Sequence, residues 1–251
     1  MKNFIEYFYN IKIDKIFYEK DYYFFTYSGY TYKLYALTSE YDVNFLLYIN
    51  QKMLINTLVS EIIFNKNMEI ISVYNENRFM LIKIFVNMNK NISLSEILFL
   101  NNYLNSKKLS VNWGQLWEKK IDYLEELINE NGKKYPLIVN SFNYFVGMTE
   151  NAISYYNSIN IGNDINYVIS HRSIKVGDTI ESLYNPLNII LDYRVRDIAE
   201  YIKISFFKNN KLIFKEIQKY LINNNLSLTE VQLLVARLLY PSFYFDMYDD
   251  I

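Results

Sequence analysis

The sequence predicts an α+β fold in two lobes: a small antiparallel sheet with one principal helix over residues 1–90, and a mainly helical lobe over 91–251. Two observations carry this. Up to about residue 90, aromatic and β-branched runs come in pairs around turn signals, as strands do. Beyond it, apolar residues recur at helical spacing behind side chains suited to capping.

The runs "KDYYFFTYS" and "YTYKLYALTS" read as two strands joined across Ser28 and Gly29. "YDVNFLLYINQKM" follows with helical spacing, and "MEIISVY" and "RFMLIKIF" flank the turn-like "NEN" as a second hairpin. Strand, strand, helix, strand, strand gives a small sheet with a helix against it. Asn87 to Asn91 interrupts the apolar pattern and is the expected hinge.

Ser93, with Glu96 three residues on, marks a helix start. In "WGQLWEKKIDYLEELINE", Trp113, Leu116, Trp117, Ile121, Leu124 and Ile128 form one apolar face, and Gly132 ends the helix. "SFNYFVGMTENAISYYNSI" is a further helix, with Gly147 either a packing site or a break. Two short extended pieces follow, "YVIS" leading into His171 and "LNIIL" leading into Asp192. Helices are then expected at "RDIAEYIKISFF", at "LIFKEIQKYLI", and from a capping box at Ser227 and Glu230 to the Tyr240–Pro241 step.

Composition narrows the function. The 251 residues carry 26 Lys and Arg against 27 Asp and Glu, a net charge of -1, so no electrostatic footprint for nucleic acid is expected. Without cysteine, disulfides and thiolate zinc sites are out, and one histidine excludes multi-histidine metal centres. Carboxylate sites for a hard cation stay open. No long apolar run reads as a membrane span or signal peptide.

Two extended segments that each deliver a polar residue to one cleft suit phosphoryl transfer. There, one carboxylate orients the acceptor hydroxyl and another holds magnesium. Asp192 is placed for the metal role and Asp178 as its weaker partner; the rival reading makes both turn or cap residues.

The C-terminal half resembles the aminoglycoside/choline phosphotransferase-like branch of the protein-kinase fold, whose loop H-G-D-x-x-x-x-N precedes a strand ending in Asp. Here "HRSIKVGD" is followed by "IILDY". His171 falls on the family histidine, Arg172 replaces the glycine, and Ser173 replaces the catalytic aspartate. Asp178 replaces the metal-binding asparagine, and Asp192 matches the metal-binding aspartate. "DIA" at Asp197 to Ala199 matches the family's next helix start. "LWEKKIDYLEELI", "GMTENAI", "ISHRSI", "YNPLNIILDYRVRDIAEYIK" and "ARLLYPSFYF" together resemble the YutH-type spore coat proteins, a degenerate branch of that fold.

The departures set expectations. A serine hydroxyl at Ser173 is a poor proton acceptor beside an ionised carboxylate of pKa about 4. As a nucleophile it needs a base, and His171, two residues away, is expected instead to support the loop. Arg172 is expected to pair with Asp192 or Asp178 in place of a metal cation, a surface arginine being the rival. Lys33 is the candidate phosphate-binding lysine, with Glu61 or Asp42 as partner; a solvent-facing Lys33 is the rival. Trp113 and Trp117 read as core. Arg194, Arg196 and Asp197 read as an ion-pair network, with Asp197 capping the next helix.

The resemblance thus implies a non-catalytic kinase-fold component of spore coat assembly, without cofactor. It would be made in the mother-cell cytoplasm, deposited on the coat and partnered by coat proteins. The alternative is an ATP- and magnesium-dependent phosphotransferase acting on a small-molecule hydroxyl; a second is nucleotide binding without turnover.

Overall fold

The computed structural model of the chain describes residues 1–19, 21–56, 59–85, 89–102, 105–106, 112–162, 165, 167–208 and 213–249. They divide into two compact units: Met1–Ile92 with Gly177–Ile189, and Ser93–Val176 with Ile190–Ile251. The segment 177–189, read from sequence as part of the second lobe, therefore clusters with the sheet. Residues 87 and 88 of the expected hinge lie outside the described residues.

In the first unit, helix α1 (Lys2–Tyr9) precedes strands β1 (Phe17–Glu19), β2 (Tyr22–Tyr27) and β3 (Tyr30–Leu37). Helix α2 (Val43–Asn56) and strands β4 (Ser60–Ile63), β5 (Ser72–Tyr74) and β6 (Asn77–Ile84) follow. The antiparallel sheet runs β1-β2-β3-β6-β4, with β5 also pairing β6. Both expected hairpins are present, with Tyr27 opposite Tyr30 and Tyr74 opposite Asn77. Each turns through two residues with positive φ: Ser28 and Gly29 in one, Asn75 and Glu76 in the other. That geometry matches strand twist.

Only glycine adopts it at little cost, so Glu76, at φ 65°, is out of place. Glu76→Gly is expected to raise stability by about 0.5–1 kcal/mol, read from the urea midpoint at an unchanged slope.

Strand β6 explains the layering. Side chains alternate between sheet faces. Phe79 and Leu81 join Phe4, Ile5, Phe25 and Leu34 in one core, under α1. Met80, Ile82 and Ile84 join Leu46 of α2, Ile62 and Leu187 in the other. Both faces are covered, so the run "FMLI" is wholly buried. Each large apolar side chain so buried contributes roughly 1.5–3 kcal/mol.

The second unit holds helix α3 (Leu94–Asn101), strand β7 (Asn105–Ser106), helices α4 (Trp113–Asn131) and α5 (Pro136–Asn157), and strand β8 (Tyr167–His171). After the short helix α6 (Ile180–Leu183) of the first unit come strand β9 (Ile189–Tyr193) and helices α7 (Arg196–Phe207), α8 (Ile213–Asn223), α9 (Leu228–Leu239) and α10 (Ser242–Asp249). Strands β7, β8 and β9 form a small sheet in that order. Helices α4 and α5 pack together, and α9 packs on α5 and α7.

Ser93 accepts the Glu96 N–H at the start of α3, and Ser227 with Glu230 closes a reciprocal capping box on α9. Gly147 does not break α5. Gly132 ends α4 in right-handed geometry and leads into a 3-10 turn. No helix among the described residues is long and apolar enough to cross a membrane.

Candidate functional site

In the second unit, β8 delivers His171 and β9 delivers Asp192, both almost wholly buried. Asp192 is fully excluded from solvent. Its Oδ2 accepts from Arg196 Nη1 at 2.6 Å, and its Oδ1 accepts from the Tyr193 N–H at 2.7 Å. Trp113 Nε1 donates to both oxygens, at 3.1 and 3.2 Å.

The cation beside Asp192 is thus Arg196. Arg172, expected beside Asp192 or Asp178, is exposed at the start of the loop. Helix geometry explains the exchange: Arg196 follows Asp192 by four residues and opens α7, so its side chain reaches back over the strand end. The same guanidinium donates from Nε to the His171 carbonyl and from Nη2 to the Arg172 carbonyl, both at 2.9 Å. One arginine therefore ties the degenerate loop to the strand that carries Asp192.

His171 supports the loop. Its N–H donates to Asp197 Oδ1 at 3.1 Å, and its Nδ1 lies 2.7 Å from Asp197 Oδ2. Asp197 does not cap α7, whose N-cap is Val195 with no side-chain cap; its carboxylate is committed to His171. Nor do Arg194 and Arg196 share a network, because Arg194 pairs with Glu230 at 2.9 Å. Ser173 sits half-buried in the loop.

Beneath this lies a second buried charge cluster that sequence reasoning missed. Glu200 Oε1 accepts from Arg237 Nε at 2.8 Å and from Lys203 Nζ at 3.2 Å, and its Oε2 accepts from Ser242 Oγ at 2.9 Å. Burial works to raise the Glu200 pKa, but Lys203, Arg237 and Arg196 outweigh it and hold the carboxyl down at about 2. Burial pushes the Lys203 ammonium down to about 8, against the pull of Glu200. Burial, and then the nearby Arg237 charge, lower the Arg196 guanidinium, while Asp192, Asp197 and Glu200 oppose the shift. The Arg237 guanidinium lies 5.2 Å from the Trp113 ring. Trp113 and Trp117 are core residues, as read, but the indole N–H of Trp113 also fixes Asp192. The one available signal was the charge spacing Arg196, Glu200, Lys203 inside an otherwise apolar helix.

The first unit holds the other candidate. Lys33 stands on β3 opposite Ile82 of β6 and is ion-paired with Glu181 of α6, both side chains largely buried. Lys33 is therefore not solvent-facing, and its carboxylate comes from neither Glu61 nor Asp42. Glu61 sits opposite Lys83 across β4 and β6, and Asp42 accepts the Phe45 N–H at the start of α2. Burial works to lower the Lys33 pKa, yet Glu181 and Tyr22 raise it above the ordinary lysine value. Asp178 lies half-buried in the same unit. Among the described residues no group of three or more His, Asp or Glu side chains is arranged to hold a metal ion.

The family model described as "Spore coat putative kinase YutH" matches residues 2–251. The chain is 30% identical over 151 residues to the endospore coat-associated protein YutH of Bacillus subtilis (strain 168), a match covering 54% of this chain and 44% of that protein. It therefore spans less than half the relative's length. Among solved structures, the aminoglycoside phosphotransferase of Alicyclobacillus acidocaldarius superposes with a TM-score of 0.59 at 10% identity, covering 94% of this chain and 81% of that one. AMP-bound spectinomycin phosphotransferase APH(9)-Ia superposes with a TM-score of 0.60 at 14% identity, covering 100% and 94%. Likeness at these identities shows the fold alone: a two-lobed, kinase-like α+β architecture, as the motifs implied.

Proposed function

The chain belongs to the YutH family of spore coat putative kinases, and from that premise we propose that it is a spore-coat-associated kinase-fold protein that binds rather than phosphorylates. One observation carries this: the carboxylate at the magnesium-anchor position is buried against the Arg196 guanidinium. That cation stays charged across the physiological range. A metal ion on Asp192 would have to displace it and leave it unpaired in the interior, which costs about 3–5 kcal/mol. As arranged, Asp192 does not fit a magnesium ligand. Ser173 supports the same reading, because it offers no carboxylate to take a proton from an acceptor hydroxyl.

On this reading the protein is made in the mother-cell cytoplasm and deposited on the coat, and its partners are other coat proteins. A phosphotransferase reading is favoured by the likeness to solved phosphotransferases and by the buried Lys33–Glu181 pair, since a lysine held by a carboxylate is a recurring phosphate-binding device.

Thermal unfolding with ATP, with and without magnesium, separates the two. We expect no magnesium-dependent shift and no ATP consumption. A saturating ligand stabilises by about 2.7 kcal/mol at a hundredfold excess over Kd, or roughly 5–10 °C for a domain of this size. A shift of that size that requires magnesium, with ATP turnover lost in Asp192→Asn, would overturn the proposal.

A further inference from the structure

Helix α7 closes on Phe206 and Phe207, and α8, which packs against it, carries Phe214 in its first turn. All three rings are more than half exposed, at 68%, 64% and 55%. Leu221 and Ile222 follow on α8, at 40% and 68%. At 3.6 residues per turn, Phe214, Leu221 and Ile222 share a flank of α8 beside the buried side that carries Ile217 and Tyr220. Helix α8 thus has two apolar sides, one packed and one left to solvent. Single exposed apolar residues are ordinary. Five within the seventeen residues from Phe206 to Ile222 form a patch. The charges around it have one sign. Lys208 at the end of α7 and Lys215 and Lys219 on α8 are all exposed. The only carboxylate of α8, Glu216, accepts from the Tyr201 hydroxyl on the inner side.

We propose that this α7–α8 corner docks on an anionic lipid surface, lying in the interface rather than crossing it. Apolar side chains of this kind enter the boundary between headgroups and acyl chains, while lysine stems snorkel to set their ammonium groups against lipid phosphates. A protein partner fits less well, because lysine is depleted at the core of protein–protein interfaces. A neutral bilayer would leave the three ammonium groups without counter-charge. The whole chain carries -1, so the attraction is local to this patch. Each lysine near an anionic surface strengthens binding about fivefold, and three together roughly a hundredfold. The inference goes beyond the coat-binding reading and does not depend on whether Asp192 holds a metal.

The chain has no cysteine, so Gln218→Cys, at an exposed position on α8, takes a single nitrobenzoxadiazole label that reports entry into lipid. Vesicles of phosphatidylcholine and phosphatidylglycerol in equal parts should give a saturable blue shift that weakens with added salt. Vesicles of phosphatidylcholine alone should bind roughly a hundredfold more weakly. The same label at Glu118→Cys, exposed on α4, should keep its aqueous emission. Lys208→Gln with Lys215→Gln and Lys219→Gln should weaken binding by about the same hundredfold. Phe206→Ser with Phe214→Ser should weaken it about tenfold or more. All five side chains are exposed, so the circular dichroism of both variants should match the parent. No shift with the mixed vesicles, equal binding to the neutral ones, or parental affinity in either variant overturns the proposal. Dimerisation that both variants abolish, without vesicle binding, would assign the patch to a second copy of the chain and overturns it as well.

Discussion

Arg196→Met is expected to destabilise the protein by about 3–5 kcal/mol, because it strands a buried carboxylate without its cation. The carboxylate is that of Asp192, wholly buried and 2.6 Å from the guanidinium. The same change removes the two donors that hold the His171 and Arg172 carbonyls, so the loop loosens as the charge is exposed. Urea denaturation of the variant reads the effect. The double variant Arg196→Met with Asp192→Leu should recover much of the loss, since removing both charges leaves no ion to desolvate. A loss below about 1 kcal/mol, the scale of an exposed ion pair, would show that the pair does not hold this region together.

Glu200→Gln should cost a similar 3–5 kcal/mol, because it leaves Lys203 and Arg237 facing each other in the interior. Its pH dependence is distinctive. The Glu200 carboxyl titrates at about 2 in the folded chain against an ordinary 4.5. The unfolded chain therefore binds the proton first as pH falls, and stability present above pH 4.5 is lost progressively towards pH 2, by about 3 kcal/mol. Glu200→Gln should lack that component.

On the alkaline side Lys203 works the other way. Its folded value of about 8 lies below the ordinary 10.5, so above pH 8 the unfolded chain holds more protons and stability rises with pH. The rise should end near pH 10, where the raised pKa values of buried tyrosines such as Tyr193 oppose it. Lys203→Met should abolish it. Melting temperatures across pH 2–10 for the parent and both variants decide these points; a flat alkaline limb in the parent contradicts the assigned role of Lys203.

Much of this was legible in the sequence, for reasons that differ by element. The hairpins were visible because paired aromatic runs flank Ser28–Gly29 and Asn75–Glu76. The helix starts at Ser93 and Ser227 were visible because capping is a local interaction. Helix α1 and strands β1 and β4 were not, because short apolar runs carry no clear period.

At the site, sequence placed His171 and Asp192 correctly at strand ends but gave Asp192 the wrong arginine. Arg172 is nearer to Ser173 in the chain; Arg196 is the one that the first turn of α7 returns to the strand end. The charges of Glu200, Lys203 and Arg237 were not singled out in the sequence. Tertiary packing of α7 on α9 puts them inside, and the charge spacing along α7 is the one local trace of it. Lys33 was singled out as a candidate, but its ion-pair partner Glu181, 148 residues away, was beyond any local rule.

On the proposed reading Asp192 serves an internal arginine and not a metal. Crystals grown with manganese and ATP test it most directly, through the anomalous signal of the ion. The expected result is Arg196 in place on Asp192, with no manganese peak within coordination distance of either carboxylate oxygen. A peak about 2.1 Å from Asp192, with the Arg196 side chain swung away, would contradict the account.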